Sequence, residues 1–297
     1  MHRAADRGMR VEARERRIAV NGLTLRVREW QSDGSAIVLA HGLASNSRIW
    51  DDVASRLADR HHVVALDQRG HGLSDRPTDG FTFDRMVGDL AALIETLGLD
   101  RPTLVGHSWG GNVVLAFAAA YPERVRGLVL VDGGFIELSA LPGRTWDQVR
   151  VDMAPPDLTH LTFDEFLERA RGGDASQYWS PTVEATYRTS FKDGPDGRIR
   201  PSLQREDHLE ILHALWEHRP SELFPKVTVQ TLLVPARRPD ATGRAAEMAP
   251  VRERLVANAA AALPNGRLLW MEHTVHDIPL QRPAELAEAI ESIASGQ

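Results

Sequence analysis

The sequence predicts an α/β architecture: a mostly parallel sheet with helices on both faces and an inserted helical segment. Three observations predict it. Short apolar runs alternate with longer helical patterns, first through residues 36–131 and again through 229–293. A strand, a tight turn and a helix surround Gly106-His107-Ser108-Trp109-Gly110. Between 137 and 225 the alternation lapses into Pro pairs, Gly pairs and short helical stretches, so this segment reads as an insertion between two strands of one core.

The elements follow in order. Residues 17–20 and 23–30 flank Asn21-Gly22, the strongest two-residue hairpin signal, because both central positions of that turn need positive φ. The continuous apolar run 36–40 is a buried strand, 48–60 a helix and 62–66 the next strand. Residues 83–97 form a helix stopped by Gly98. A strand at 103–105 enters the serine turn, a helix at 112–121 leaves it, and a strand at 126–131 ends at Asp132-Gly133-Gly134. After the insertion come strand 229–234, helix 245–263, strand 267–271 and helix 283–293. The expected organisation is a flexible leader at 1–17, a core formed by 18–136 and 226–297, and a cap at 137–225.

Composition bounds the function. The chain has 297 residues, 42% hydrophobic and 26% charged, enough for a large buried core. Net charge is −6, and Lys192 and Lys226 are its only lysines. No basic stretch is interleaved with aromatics, so nucleic acid is not an expected partner. Six arginines within residues 1–17 have no apolar region behind them, and no apolar run approaches the roughly 18 residues of a membrane span. The expected location is cytoplasmic, without a membrane partner. Cysteine is absent, which excludes disulfides and thiolate catalysis.

The chemistry centres on Ser108. A turn this sharp needs residues without a Cβ on both sides, and Gly106 and Gly110 meet that need. The turn lifts the hydroxyl off the strand end and aims the Trp109 N–H at the same spot. A serine hydroxyl needs a general base. Of twelve histidines, His276 is best placed, just after the last core strand, where the loops at one sheet edge meet; His273 is its rival. Their spacing offers no third metal ligand, so no metal is expected. A second oxyanion donor is expected from Ala40-His41-Gly42-Leu43, through the Leu43 N–H.

Three motifs together resemble the α/β-hydrolase superfamily: His41-Gly42-Leu43, the segment from Asp67-Gln68-Arg69-Gly70 through His71-Gly72-Leu73-Ser74, and Gly106-His107-Ser108-Trp109-Gly110-Gly111. Val275-His276-Asp277-Ile278-Pro279 resembles its histidine loop, which favours His276. The resemblance covers about residues 20–295 and implies an eight-stranded sheet, a helical cap, a cofactor-free Ser-His-acid triad and hydrolysis of esters or related acyl bonds. It gives the Asp67–Ser74 segment a structural role. Two departures stand out. Val275 replaces the usual glycine before the histidine, and the acid expected after the cap falls one residue late, at Asp240 behind Pro239. Asp132, 24 residues after Ser108 at the tip of the next strand, is therefore the expected acid, with Asp240 the alternative and Glu137 a further one. Nine of the 18 aromatics lie in the cap, some as its own core and some facing a cleft.

The expected activity is cleavage of a small carboxylic ester or lactone with an apolar portion, through an acyl-enzyme. Carbon–carbon bond hydrolases, amidases and perhydrolases use the same triad, and a ligand receptor or interaction protein could use the same scaffold.

Overall fold

The computed structural model describes residues 12–296. Its opening hairpin joins β1 (Arg14–Val20) to β2 (Leu23–Trp30) in antiparallel register, through Asn21 and Gly22 at φ 49° and 79°. β1 starts earlier than expected, so residues 14–17 belong to the sheet and not to a leader. The cause is cross-strand charge pairing: Glu15 accepts from Arg26 and Arg28 at 2.7 Å, and Arg16 donates to Glu29 at 2.8 Å. The rest of that expected leader, residues 1–11, lies outside the described residues.

The chain continues through β3 (Ala36–Ala40), α1 (Asp51–Leu57), β4 (His62–Leu66), α2 (Phe83–Thr96), β5 (Thr103–His107), α3 (Trp109–Ala120) and β6 (Gly127–Val131). The expected helix 48–60 is shortened because a 3-10 turn at Ser47–Trp50, capped by the Asn46 side chain, precedes α1. Between β6 and β9 (Gln230–Val234) lie α4 (Trp146–Asp152), α5 (Phe163–Gly172), α6 (Pro181–Ser190), β7 (Phe191–Asp193), β8 (Ile199–Pro201) and α7 (Arg205–Glu217). The β7–β8 hairpin was not expected: its three-residue strands carry no alternation, and only Asp196-Gly197 hinted at the turn.

Eight strands form one sheet in the order β1-β2-β4-β3-β5-β6-β9-β11, with β11 at Gly266–Leu268. The first two pairings are antiparallel and the rest parallel. Alternation along each strand builds two cores. Ile37, Leu39, Val105 and Val129 face α1 and α10 (Pro283–Ala294), while Val38, Leu104, Leu128 and Leu130 face α2, α3 and α8 (Gly243–Ala262). The expected strand 267–271 divides. After β11 the chain leaves the sheet, and β12 (Met271–Glu272) pairs instead with β10 (Ala236–Arg237). This detour carries the loop before α9 (Ile278–Gln281) over the ends of β5 and β6. Among the described residues, no helix is long and apolar enough to cross a membrane.

Candidate active site

Ser108 follows β5 at φ 54°, a left-handed conformation costly for a side chain, and its N–H donates to the Val131 carbonyl at 2.9 Å. Three glycines make room for it. A Cβ on Gly106 would sit 2.6 Å from the Gly110 carbonyl carbon, within the turn itself. A Cβ on Gly110 would meet the Ala40 carbonyl oxygen at 2.6 Å, so this glycine answers to the end of β3 and not to its own turn, as the sequence suggested. Gly133 was not foreseen: a Cβ there would lie 2.6 Å from the Ser108 carbonyl carbon.

The loop after β3 runs against the serine, since a Cβ on Gly42 would come 3.0 Å from Ser108 Cβ. The Leu43 N–H lies on this loop. Trp109 is the first residue of α3, so its N–H is among the donors a helix leaves without an internal partner. His41 fixes the loop. Its Nδ1–H donates to the Gly42 carbonyl at 2.7 Å, and its Nε2 accepts from the Gln68 N–H at 3.0 Å. Those two contacts require the neutral ring, and burial pushes its pKa down to about 4. Asp67, fully buried, accepts from the Ser47 N–H at 2.7 Å and the Leu73 N–H at 2.9 Å. Arg69 grips Asp89 through two bonds of 2.7 and 3.0 Å. The Asp67–Ser74 segment thus braces the loop facing Ser108 and makes no contact of its own with the hydroxyl among the bonds described.

Asp132 and His276 come together. Asp132 follows β6 at φ 45° and is buried, and its N–H donates to the Val234 carbonyl at 3.0 Å. Its Oδ2 accepts from His276 Nδ1 at 2.5 Å, and its Oδ1 accepts from the Ala236 N–H at 2.7 Å and from the Arg252 guanidinium. The residue next to the serine, His107, donates from Nε2 to the His276 carbonyl at 2.9 Å, with the two rings 4.7 Å apart. Burial holds the His107 ring at a pKa of about 4, so it stays neutral. The rivals lie elsewhere. Asp240 and His273 make no side-chain bond to Ser108, Asp132 or His276 among those described, and the Glu137 carboxylate accepts from the Ser221 N–H at 3.2 Å. Arg252 had no sequence signal, because Arg252-Glu253-Arg254 in a long helix looks like a solvated face.

A cavity of about 970 Å³ opens beside this pair, lined by Asp132, Tyr178, Arg237, Arg252, Trp270 and His276 among others. Ser108 lies outside its lining. A smaller cavity of about 130 Å³ lies between Ala44 and Ser45 of the loop after β3 and the insertion, where Phe191, Leu203 and His208 face it. Of the nine aromatics in the insertion, Tyr178 and Phe191 line these cavities. Phe166 packs on Phe163, Tyr187 and Phe191, Trp146 on Trp216, and Phe224 is buried under the sheet. Among the described residues no cluster of three His, Asp or Glu could hold a metal ion.

Comparison with known proteins bears on the same region. Residues 35–168 match a family model described as the alpha/beta hydrolase fold. The 2-(acetamidomethylene)succinate hydrolase of Mesorhizobium japonicum is 42% identical over 127 residues, 42% of this chain and 45% of that protein. The cis-3-alkyl-4-alkyloxetan-2-one decarboxylase of Shewanella oneidensis is 36% identical over 123 residues, 39% of each chain. The matched stretch thus spans less than half the length of these curated relatives. A crystal structure of E-2-(acetamidomethylene)succinate hydrolase superposes with a TM-score of 0.76 at 24% identity, covering 95% of this chain and 99% of that one. The enol-lactonase from Burkholderia xenovorans LB400 superposes with a TM-score of 0.69 at 21% identity, covering 94% and 100%.

Proposed function

This chain belongs to the α/β-hydrolase superfamily, and on that premise we propose that it is a serine hydrolase cleaving a carboxylic ester or lactone through an acyl-enzyme. The observation that carries the reading is the 2.5 Å bond from His276 Nδ1 to the buried Asp132 carboxylate, beside the strained serine turn. In the proposed reaction His276 Nε2 takes the Ser108 proton as the hydroxyl oxygen attacks the carbonyl carbon. Asp132 holds the imidazole in the Nδ1–H tautomer and stabilises the imidazolium that forms. The Leu43 and Trp109 N–H groups receive the developing oxyanion. The proton then passes to the leaving alcohol, and a water molecule, deprotonated by the same ring, releases the acid.

The likeness to a hydrolase whose name carries an acetamido group favours a second reading, in which the acyl bond is an amide. One experiment addresses both. The purified protein is treated with a fluorophosphonate probe, then assayed against aryl esters of graded acyl length, lactones and N-acetyl enamides. Rapid, saturable labelling that disappears in S108A supports the serine hydrolase. Absent labelling overturns it and favours a ligand receptor. Turnover confined to the amides replaces the first reading with the second.

A further inference from the structure

We propose that Arg252 is a positioning residue for the acid, fixing which oxygen of Asp132 faces His276. The inference rests on the triad reading above. A carboxylate at the tip of a strand can rotate about its last torsion and offer either oxygen. Here one oxygen is taken: Oδ1 accepts from both the Ala236 N–H, at 2.7 Å, and the Arg252 guanidinium. Only Oδ2 remains for the imidazole. The guanidinium also donates to the Ala236 carbonyl. Arg252 therefore ties α8, Ala236 at the start of β10 and the tip of β6 into one unit.

The cation has an electrostatic consequence as well. The charged groups facing His276 are Asp132 and Asp277, the latter accepting from the Tyr178 hydroxyl at 3.3 Å, and Arg252; the His107 ring lies against it, tilted, from the serine side. Arg237, Arg238, Glu253 and Glu272 complete the cavity wall. Desolvation, the largest cause, lowers the His276 pKa from its ordinary value although the side chain is about half exposed; Asp277 next pulls it up, and Arg252 pushes it down. Removing the cation ends its repulsion of the imidazolium and leaves the Asp132 charge uncompensated. Both changes favour the protonated ring.

The test compares R252M and R252K with the wild type, each checked for folding by circular dichroism and urea denaturation. His276 is titrated directly by NMR of its imidazole nitrogens, a readout independent of any substrate, and the pH dependence of fluorophosphonate labelling is followed alongside. In R252M the His276 titration should move up by about one pH unit, at the low end of what a nearby charge produces. Labelling should slow by about tenfold, far short of the ~10⁴ lost with a triad acid. R252K, which keeps the charge, should titrate near the wild type. A folded R252M whose His276 titrates as in the wild type overturns the proposal. Wild-type protein that does not label at Ser108 overturns the triad reading instead, while the NMR titration still decides whether Arg252 governs the ring.

Discussion

Ser108 and Asp132 occupy the same step of two neighbouring parallel strands, each one residue beyond the paired His107 and Val131. Both are at positive φ, 54° and 45°, and each sends its N–H to the next strand, Ser108 to Val131 and Asp132 to Val234. Adjacent strands lie roughly 4.8 Å apart. Ser108 and Asp132 are thereby held at a separation set by the sheet, with the His276 imidazole bonded to Asp132.

The choice of acid and base can be tested in pairs. D132N should lower turnover by up to about 10⁴, because the imidazole is then free to adopt the wrong tautomer. D240N, altering an exposed loop residue, should stay near wild type. H276Q should match S108A in severity, since triad members act as a unit, and H273Q should be mild. Steady-state rates on the best substrate, with urea midpoints to confirm folding, decide the matter. An inactive D240N with a normal D132N would move the acid to the loop after the insertion.

Gly133→Ala should damage the site without touching a reacting group. The new methyl would press on the Ser108 backbone, where a Cβ has no room. Overpacking of this kind costs about 1–3 kcal/mol, and the serine turn should shift with it. The variant is expected to show a lower urea midpoint and slowed labelling together. Normal labelling would mean that the turn tolerates displacement.

Acid should destabilise the fold through three buried histidines. Burial, the largest cause in each case, lowers His41 and His107 to about 4 and His71 to about 3, against an ordinary value of 6.5. As pH falls, the unfolded chain binds these protons first, so stability rises with pH across this window. The contribution is fully present above 6.5 and is lost as pH drops toward 4 and 3. Each histidine adds at most about 1.4 kcal/mol per pH unit. Urea midpoints measured from pH 7 to 4 should fall steeply, and His71→Asn, whose amide can replace the Nδ1–H bond to the Arg69 carbonyl, should flatten the curve. A midpoint unchanged between pH 6.5 and 5 would contradict the buried neutral rings.

Asp89→Ala should be strongly destabilising. Arg69 is 2% exposed and would lose its bidentate partner, keeping only Asp79 and the Gly80 carbonyl. Breaking such a buried pair costs about 3–5 kcal/mol. Denaturant unfolding measures it directly, and a loss below 1 kcal/mol would show that Asp79 suffices.

Much of the core was legible because its signals are local. Asn21-Gly22, the apolar runs of β3 to β6 and the glycines around Ser108 each dictate backbone shape within a few residues. What stayed hidden depends on contacts distant in sequence. Gly133 is required by the Ser108 carbonyl on the neighbouring strand, and Gly110 by Ala40 on another. Arg252 reaches Asp132 across 120 positions. The start of β1 was misjudged because charged residues such as Arg14–Arg17 look like a solvated tail until Glu29, Arg26 and Arg28 come alongside. The β7–β8 hairpin is too short to carry a period.

The position of Asp132 also bears on how this chain could change. Placed at the tip of β6, it precedes the segment that runs out to α4–α7 and returns at β9. Ser108, Leu43, Trp109 and Asp132 thus lie in one uninterrupted stretch of chain, at the ends of strands paired to one another. His276 lies beyond the excursion, as do the groups that hold Asp132: the Val234 carbonyl, the Ala236 N–H and Arg252. On the proposed reading, exchanging the excursion between fixed ends of β6 and β9 would alter the walls around a substrate, while the pairing of β5 with β6 kept the spacing of Ser108 to Asp132.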